Sequence, residues 1–193
     1  MIKLKWEKFN IDDFTDDDLY LWLSYMSLER QNKINRLCFY DDRKRSVAGE
    51  MLARKLLSEY SGTVPKDIVI LTDKKGKPYS QNVNLNFSIS HSDKYVACAV
   101  NKTQVGIDIE KIQPDINFQI TKKFCTEKEK DYIFRSFEKE SAVRRFFEVW
   151  TFKEAYFKFI GTGITNLKSI DIFELDLNRS CFVEEGYMFT IIY

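Results

Sequence analysis

Residues 105–110, Val-Gly-Ile-Asp-Ile-Glu, alternate between apolar and acidic side chains and constrain the fold more than any other stretch. A β-strand turns successive side chains to opposite faces, so the isoleucines at 107 and 109 are expected to point into a core. Asp108 and Glu110 share the other face, with Cα atoms about 6.6 Å apart. Neighbouring carboxylates repel each other unless a cation joins them. The pattern predicts either a site for a hard divalent ion, Mg²⁺ above all, or an acidic face in solvent.

The only histidine, His91, lies near the end of the run Phe-Ser-Ile-Ser-His-Ser at residues 87–92. Small hydroxyl side chains surround it, and these can hydrogen-bond anionic oxygens without blocking access. Beside a phosphate, the imidazole would tend to be protonated and to donate. A lone histidine more often makes a structural hydrogen bond, which is the alternative. We do not expect His91 to bind the metal, because Mg²⁺ prefers oxygen.

A third polar group lies in the sequence Trp-Thr-Phe-Lys-Glu-Ala-Tyr-Phe-Lys at residues 150–158. On a helix, Trp150, Glu154 and Lys158 are spaced at i, i+4 and i+8 and share one face. Glu154 could complete the metal site, and Lys158 could hold a phosphate oxygen. An ordinary surface ion pair beside a buried tryptophan is the alternative. Lys153 points away from this face and serves either another phosphate or the fold.

Hydrophobic periodicity and turn residues predict an α+β chain in which a strand, then helices, then strands occur twice. The first half is expected to contain an edge strand at 2–6, a helix capped by Ser27 to about Arg36, a helix capped by Asp41 or Asp42 and ended by Gly62, an element starting at Pro65, and strands at 68–71, 85–89 and 95–100. A strand at 104–112 is expected to open the second half. The second is expected to contain a helix with a capping box at Thr126 and Glu129 to Phe137, a helix from Ser141 to Gly161, and closing strands at 169–174, 181–184 and 188–193. The change of pattern predicts two lobes, residues 1–104 and 105–193.

Composition limits the class of protein. With 193 residues and 44% hydrophobic side chains, the chain can bury a substantial core. A formal net charge of +1 gives no global field that would attract nucleic acid or an anionic membrane. Neither a signal peptide nor a stretch of ~20 apolar residues is present, so we expect a cytoplasmic protein. We also expect it to be a monomer. The four cysteines lack paired spacing and are expected to be buried reduced thiols: Cys38, Cys98, Cys125 and Cys181.

In their order and spacing, the motifs at 87–92, 105–110 and 150–158 resemble the three motifs of Sfp-type 4′-phosphopantetheinyl transferases. The basic run at 43–45 and the Lys-Gly-Lys-Pro turn at 75–78 extend the resemblance over nearly the whole chain. The resemblance implies a pseudo-dimeric fold of two similar α+β lobes with coenzyme A in the cleft between them. It also implies transfer of the phosphopantetheine arm of coenzyme A to an apo acyl or peptidyl carrier protein, with Mg²⁺, or alternatively Mn²⁺, as cofactor.

The resemblance also assigns roles to individual residues. Asp108, Glu110 and Glu154 match the family's metal-binding acids. His91 and Lys158 match groups that contact phosphate, and together with Glu154 they are the expected catalytic residues. Further contacts with coenzyme A are implied for Arg45, Lys77 and Ser90, and less sharply for Arg30 and Lys33 against the 3′-phosphate.

The implied reaction is attack by a carrier serine on the β-phosphorus of coenzyme A, with release of adenosine 3′,5′-bisphosphate. Lys158 and His91 would donate to the diphosphate oxygens beside the metal. Glu154 is the preferred base for the serine proton, directly or through a water on the metal. Two alternatives remain: another magnesium-dependent phosphate-transfer enzyme, or a coenzyme A-binding regulatory or interaction subunit without turnover.

A further hypothesis places an acidic helix of the carrier against residues 121–137. The segment is rich in positive and in apolar side chains: Lys122, Lys123, Lys128, Lys130 and Arg135, with Phe124, Tyr132, Ile133, Phe134 and Phe137. Some aromatic side chains must be core, and any left exposed would form an apolar centre with a charged rim. An ordinary amphipathic helix is the alternative.

Overall fold

The computed structural model describes residues 4–163 and 165–193 and contains two lobes of similar construction. Each lobe has a strand, short helices, one helix of 22 residues and a closing antiparallel hairpin. The first lobe contains β1 (Lys5–Asn10), α1 (Asp16–Ser24), α2 (Leu28–Asn35), α3 (Tyr40–Ser61), β2 (Ile70–Thr72), β3 (Pro78–Ser80), β4 (Asn86–Ser92) and β5 (Tyr95–Asn101). The second contains β6 (Gly106–Lys111), α4 (Thr121–Phe124), α5 (Glu127–Phe134), α6 (Lys139–Ile160), β7 (Arg179–Glu184) and β8 (Tyr187–Ile192). The α+β class and the repeated order of elements are as predicted.

Two three-stranded antiparallel sheets carry the fold, with strand orders β1-β5-β4 and β6-β8-β7. Strands β1 and β6 therefore take equivalent edge positions, and each closing hairpin supplies a central strand. The half-buried edge strand predicted at 2–6 is confirmed at Lys5 and Trp6. It continues to Asn10, four residues beyond the predicted end, while Leu4 precedes it and Ile2 lies outside the described residues. The small hairpin β2–β3 belongs only to the first lobe.

The sheets face each other, and the long helices cover their outer faces. Val96 and Cys98 of β5 belong to a core with α3, whereas the intervening Ala97 packs with Ile107 and Phe189 of the second lobe. A separate core joins α6 to β8. The small side chain of Ala97 lets the two sheets approach closely. The lobes thus share an apolar interface, and β6 lies between that interface and α6.

Several local predictions about helix ends are confirmed. Ser27 caps α2, and Thr126 forms the predicted capping box of α5. Gly62 and Gly161 end the two long helices in the left-handed conformation, at φ 73° and 68°, where glycine has no steric penalty. Among the described residues, no helix has the length and apolar character needed to cross a bilayer.

Other predicted boundaries were wrong. Phe39 is the N-cap of α3, while Asp41 and Asp42 lie in its first turn, where carboxylates favour the helix dipole. Helix α5 ends at Phe134, and α6 begins at Lys139, two residues before the predicted start.

Residues 169–174 are not a strand. A 3-10 turn ends at Ser169, and the backbone amide of buried Ile172 donates to the side chain of Glu129 instead of to a neighbouring strand. All four cysteines are free, as expected, but only Cys98 and Cys125 are buried. Cys38 and Cys181 are exposed, because one lies between helices α2 and α3 and the other lies on edge strand β7.

Candidate active site between the lobes

Gly106 brings strand β6 into direct contact with helix α6. A Cβ atom at this position would lie 2.0 Å from the Ala155 carbonyl oxygen, so a larger residue cannot fit without moving the backbone. The next outward-facing residues, Asp108 and Glu110, are thereby held against the helix. The predicted alternation of the strand is confirmed, and Asp108 is only 2% exposed. The alternative of an acidic face in solvent is therefore wrong for this carboxylate.

The two oxygens of Asp108 have different surroundings. Oδ1 accepts hydrogen bonds from the Ser90 hydroxyl and the Lys158 ammonium group, each at 2.7 Å. Lys158 also donates to Ser90 at 2.7 Å, which closes a three-membered polar cluster across the lobes. Oδ2 is buried and has no hydrogen-bond partner among the described residues. The capacity of Oδ2 to accept a hydrogen bond or bind a cation is therefore unused by the described residues.

Glu110 is held at both of its oxygens. Oε2 accepts from the Ser92 hydroxyl at 2.8 Å, and Oε1 accepts from the indole nitrogen of Trp150 at 3.3 Å. Burial and the nearby charge of Asp108 raise the pKa of Glu110, and the two hydrogen bonds oppose that rise. This fixed geometry joins β4, β6 and α6 at one carboxylate.

Glu154 lies half-buried on the face of α6 that carries Trp150 and Lys158. Burial raises its pKa to about 7, and the charges of Asp108 and Glu110 add to the rise while Lys158 opposes it. A carboxyl group with such a pKa can give up or accept a proton near neutral pH.

The chemistry of the three acids fits a hard divalent cation. Their mutual repulsion and the unpartnered Asp108 oxygen would both be relieved by one. Within residues 4–163 and 165–193, however, no three acidic, histidine or cysteine side chains converge as a ready-made ligand set. Lys158 instead neutralises Asp108 from one side.

Basic groups gather where β4 ends. His91 is exposed there, and its pKa is lowered by partial desolvation and then by the positive charges of Lys158 and Arg45. Arg45 is held by hydrogen bonds to the Asp93 carbonyl oxygen at 2.7 Å and to Asp42 at 2.5 Å. Desolvation and the two cations thus disfavour the protonated imidazole, and the cations make this a region of positive potential, which favours an anion.

Three serines of β4 connect the two sheets. Strands β4 and β6 run side by side in the same direction, and serine hydroxyls at alternate positions accept from the backbone amides of β6. The pairs are Ser88 with Ile107 at 3.1 Å, Ser90 with Ile109 at 3.4 Å, and Ser92 with Lys111 at 3.0 Å. We call these three residues the serine ladder. From the sequence, these hydroxyls were predicted to bind an anion, and the ladder was not predicted. Their spacing at i, i+2 and i+4 was the signal that could have revealed it.

The other predicted coenzyme A contacts are more dispersed. Lys77 donates to the carbonyl oxygen of Lys158 at 2.5 Å, at the end of α6, and lines a cavity of about 290 Å³ beside that helix. Arg30 contacts Glu50 and the carbonyl oxygen of Ser46, and Lys33 is exposed on α2. No contact of the described residues joins Arg30 or Lys33 to the Asp108 cluster, and their roles stay predictions.

Lys153 serves the fold, one of the two roles considered for it. Its ammonium group is fully buried and forms an ion pair with Glu129 at 2.7 Å. It also donates to three carbonyl oxygens, those of Phe124, Leu167 and Ile170. The network ties α4, α5 and the segment after α6 to α6 itself, directly beside Glu154.

The predicted docking segment divides into core and surface. Phe124 and Ile133 are buried, whereas Phe134 is 46% exposed and Phe137 is fully exposed. A groove of about 570 Å³ runs from Glu110 and Trp150 towards this segment and is lined mainly by apolar side chains and lysines: Ile116, Ile120, Lys123, Phe146 and Phe147. An exposed apolar surface with basic neighbours therefore adjoins the site.

Comparison with known proteins gives consistent matches over both lobes. Residues 104–187 match the family model of the 4′-phosphopantetheinyl transferase superfamily, and residues 13–103 match that of the 4′-phosphopantetheinyl transferase N-terminal region. The chain is 38% identical over 158 residues to the 4′-phosphopantetheinyl transferase gsp of Aneurinibacillus migulanus, a match covering 81% of this chain and 64% of the relative. It is 30% identical over 159 residues to the 4′-phosphopantetheinyl transferase Sfp of Bacillus subtilis, covering 82% and 69%. For HetI of Nostoc the identity is 34% over 154 residues, covering 76% and 64%. The matches thus span less than two thirds of gsp and HetI and slightly more of Sfp.

Proposed function

The chain belongs to the Sfp-type 4′-phosphopantetheinyl transferase family, and on this premise we propose that it transfers the phosphopantetheine arm of coenzyme A to a serine of an apo acyl or peptidyl carrier protein. The observation that carries the proposal is the meeting of acids and cations at the lobe interface. Asp108 and Glu110 face α6, while His91 and Arg45 reach the same region from the first lobe. A diphosphate held together with a divalent cation requires both kinds of group.

The two lobes divide the work. Residues 1–104 supply the contacts with the nucleotide part of coenzyme A, and residues 105–193 supply the metal site and the docking surface for the carrier. The contacts assigned to the first lobe are those of Arg30, Lys33, Arg45, Lys77, Ser90 and His91, with Lys158 added from the second.

Mg²⁺ would be held by Asp108, Glu110 and Glu154, and Mn²⁺ could replace it. When bound, the ion neutralises charge on the diphosphate. The unpartnered Oδ2 of Asp108 supports this assignment, since a buried carboxylate oxygen without a donor costs free energy unless a ligand occupies it.

In the proposed reaction, the carrier serine oxygen forms a bond to the β-phosphorus of coenzyme A. The bond from that phosphorus to adenosine 3′,5′-bisphosphate breaks, and Glu154 takes the serine proton. Without a bound cation the pKa of Glu154 is raised to about 7, so its carboxyl group can exchange a proton near neutral pH. Lys158 and protonated His91 donate to phosphate oxygens, and most of the rate enhancement comes from positioning and electrostatics.

The direct test is incubation with coenzyme A, Mg²⁺ and a panel of apo carrier proteins, followed by mass spectrometry of the carriers. We expect one phosphopantetheine group on the serine of at least one carrier and none with Asp108→Ala. Coenzyme A binding without modification of any carrier would favour a regulatory subunit. Cleavage of coenzyme A without transfer to a carrier would favour another phosphate-transfer enzyme.

A further inference from the structure

The closing hairpin of each lobe has an acidic residue with positive φ in its turn. Asp93 lies between β4 and β5 at φ 50°, and Glu185 lies between β7 and β8 at φ 51°. Positive φ is uncommon outside glycine, and the two turns occupy equivalent places in the two lobes. The contacts of these two side chains can therefore be compared directly.

The Asp93 carboxylate reaches from the first lobe into the second. Its Oδ2 accepts from the Lys111 ammonium group at 2.7 Å and from the Tyr187 hydroxyl at 2.8 Å. Lys111 ends the first strand of that lobe, and Tyr187 begins the second strand of its hairpin. Lys111 and Tyr187 together lower the pKa of Asp93, as expected for a carboxylate that is hydrogen-bonded in its charged form.

Glu185 makes the same kind of contacts in the opposite direction. It accepts from the Tyr95 hydroxyl and forms an ion pair with Lys8 at 3.1 Å, and Lys8 also pairs with the neighbouring Glu184 at 2.8 Å. Lys8 lies in the first strand of the first lobe, and Tyr95 begins the second strand of its hairpin. The rings of Tyr95 and Tyr187 meet edge to face, with centroids 4.9 Å apart. The hairpin turn of each lobe thus contacts a lysine and a tyrosine of the other lobe.

One of the two turns also touches the candidate active site. The Asp93 carbonyl oxygen accepts from Arg45 at 2.7 Å, and His91 lies two residues earlier in the chain. Ser92, between them, donates to Glu110 at 2.8 Å. Movement of this turn would therefore shift basic groups of the first lobe relative to acids of the second.

We propose that Asp93 and Glu185 form a reciprocal clamp that sets the relative position of the lobes and so holds Arg45 and His91 opposite Asp108 and Glu110. Both acids are positioning residues in this scheme. The identity of the ligand as coenzyme A rests on the proposed function, whereas the clamp itself does not. The side chains of Asp93 and Glu185 are 46% and 55% exposed, and exposed ion pairs contribute little to the free energy of folding. Removing either charge should therefore change the relative position of the lobes, and with it the affinity for coenzyme A, more than it changes stability.

The test uses Asp93→Asn, which removes the charge but suits positive φ, since asparagine tolerates the left-handed conformation. Calorimetry should show coenzyme A binding about five- to thirtyfold weaker, and Glu185→Gln should weaken it less. Glu59→Gln is the matched control, because Glu59 pairs with Lys5 inside one lobe. It should leave the affinity unchanged.

Whether Asp93→Asn weakens or tightens coenzyme A binding distinguishes the clamp from a simple electrostatic effect. Removing a negative charge beside a phosphate site should by itself tighten the binding of an anion. Unchanged or tighter binding by Asp93→Asn would overturn the proposal, as would a lower Tm with unchanged affinity. Asp93→Asn combined with Lys111→Met should weaken binding no more than the stronger single change, and additive losses would contradict a shared clamp.

A final measurement does not depend on coenzyme A. The free energies of unfolding of Asp93→Asn, Tyr187→Phe and the double variant should be non-additive. Tyr187 is buried, so its hydrogen bond to Asp93 across the lobes contributes more to folding than the exposed ion pair of Asp93 with Lys111. Additivity would overturn the clamp. If the wild-type protein fails to bind coenzyme A while this coupling is present, the proposed function fails and the clamp stands.

Discussion

At the scale of single residues, Asp108 combines an oxygen shared by two donors with a second oxygen that has none in the described part of the chain. A buried carboxylate oxygen without a donor lowers the stability of the folded state. The donor Lys158 is only partly buried, so it can turn to solvent if its partner is lost. Asp108 is therefore better suited to binding a ligand than to stabilising the fold.

We predict that Asp108→Asn abolishes transfer and leaves Tm unchanged or slightly raised, because the change removes a buried charge with an unpartnered oxygen. Transfer assays and thermal denaturation would measure both effects. Asp131→Asn, at an exposed position on α5, is the control and should change neither. Full transfer after complete removal of divalent cations would contradict the metal assignment.

Glu154 gives a prediction about protons. With a pKa of about 7 it is half protonated at pH 7, and a bound cation favours the ionised form. Mg²⁺ binding should therefore release protons near pH 7, and apparent Mg²⁺ affinity should rise as pH increases through 7 and level off above it. Calorimetry in buffers of different ionisation enthalpy would detect the release.

Glu154→Gln is the control for that experiment, since it keeps the size of the side chain and cannot titrate. It should remove the proton release that depends on this group. Equal release by the variant and the wild type would assign the titration to another residue.

At the scale of elements, the serine ladder replaces a backbone ladder between β4 and β6. The Ser88 and Ser90 hydroxyls satisfy amides that would otherwise be buried without a partner, whereas the contact of Ser92 with the Lys111 amide is exposed. Ser90 and Ser92 also donate to Asp108 and Glu110, whereas the Ser88 hydroxyl serves the Ile107 amide. Ser88 thus separates the structural role of the ladder from its role at the site.

Ser88→Ala should lower the free energy of unfolding by about 1–3 kcal/mol, since it leaves the Ile107 amide buried and unpaired. Urea denaturation would measure the loss. Ser61→Ala removes an exposed hydroxyl that accepts from Thr63, and it should cost clearly less. Equal costs would mean that solvent reaches the ladder.

Patterns within one element were predictable from the sequence, and contacts between elements were not. The alternation at 105–110 and the cap at Thr126 depend on neighbours a few residues away. The serine ladder was missed because its partners lie 19 residues further along the chain. Residues 169–174 show a strand-like alternation, but Glu129 accepts the amide that a sheet would have paired.

At the scale of the whole molecule, the groove beside Trp150 is lined by Lys123 of the segment that also carries the exposed side chains of Phe134 and Phe137. Carrier docking at residues 121–137 would place the attacking serine near the acids of β6. The repeated lobe pattern was predicted from the order of elements. Its detailed symmetry depends on contacts such as Asp93 with Tyr187, which no local pattern reveals.

Reversing Lys128 and Arg135 to glutamate should raise the KM for the carrier in a salt-dependent manner and leave the KM for coenzyme A nearly unchanged. Steady-state kinetics at two ionic strengths would measure this. Lys66→Glu, exposed in the first lobe, is the control. Equal effects on both substrates would place the docking surface elsewhere.

The sheet registers also determine when each lobe can be completed during synthesis. Lys5 pairs with Val100 and Gly106 pairs with Ile192, so the first strand of each lobe finds its partner only at the end of that lobe. All strands of the first sheet precede β6 and are available before the second lobe emerges from the ribosome. Until then the first lobe exposes Leu4, Trp6 and Tyr95 beside the small side chains of Ala97 and Ala99, an apolar face open to aggregation until strands β6 and β8 cover it.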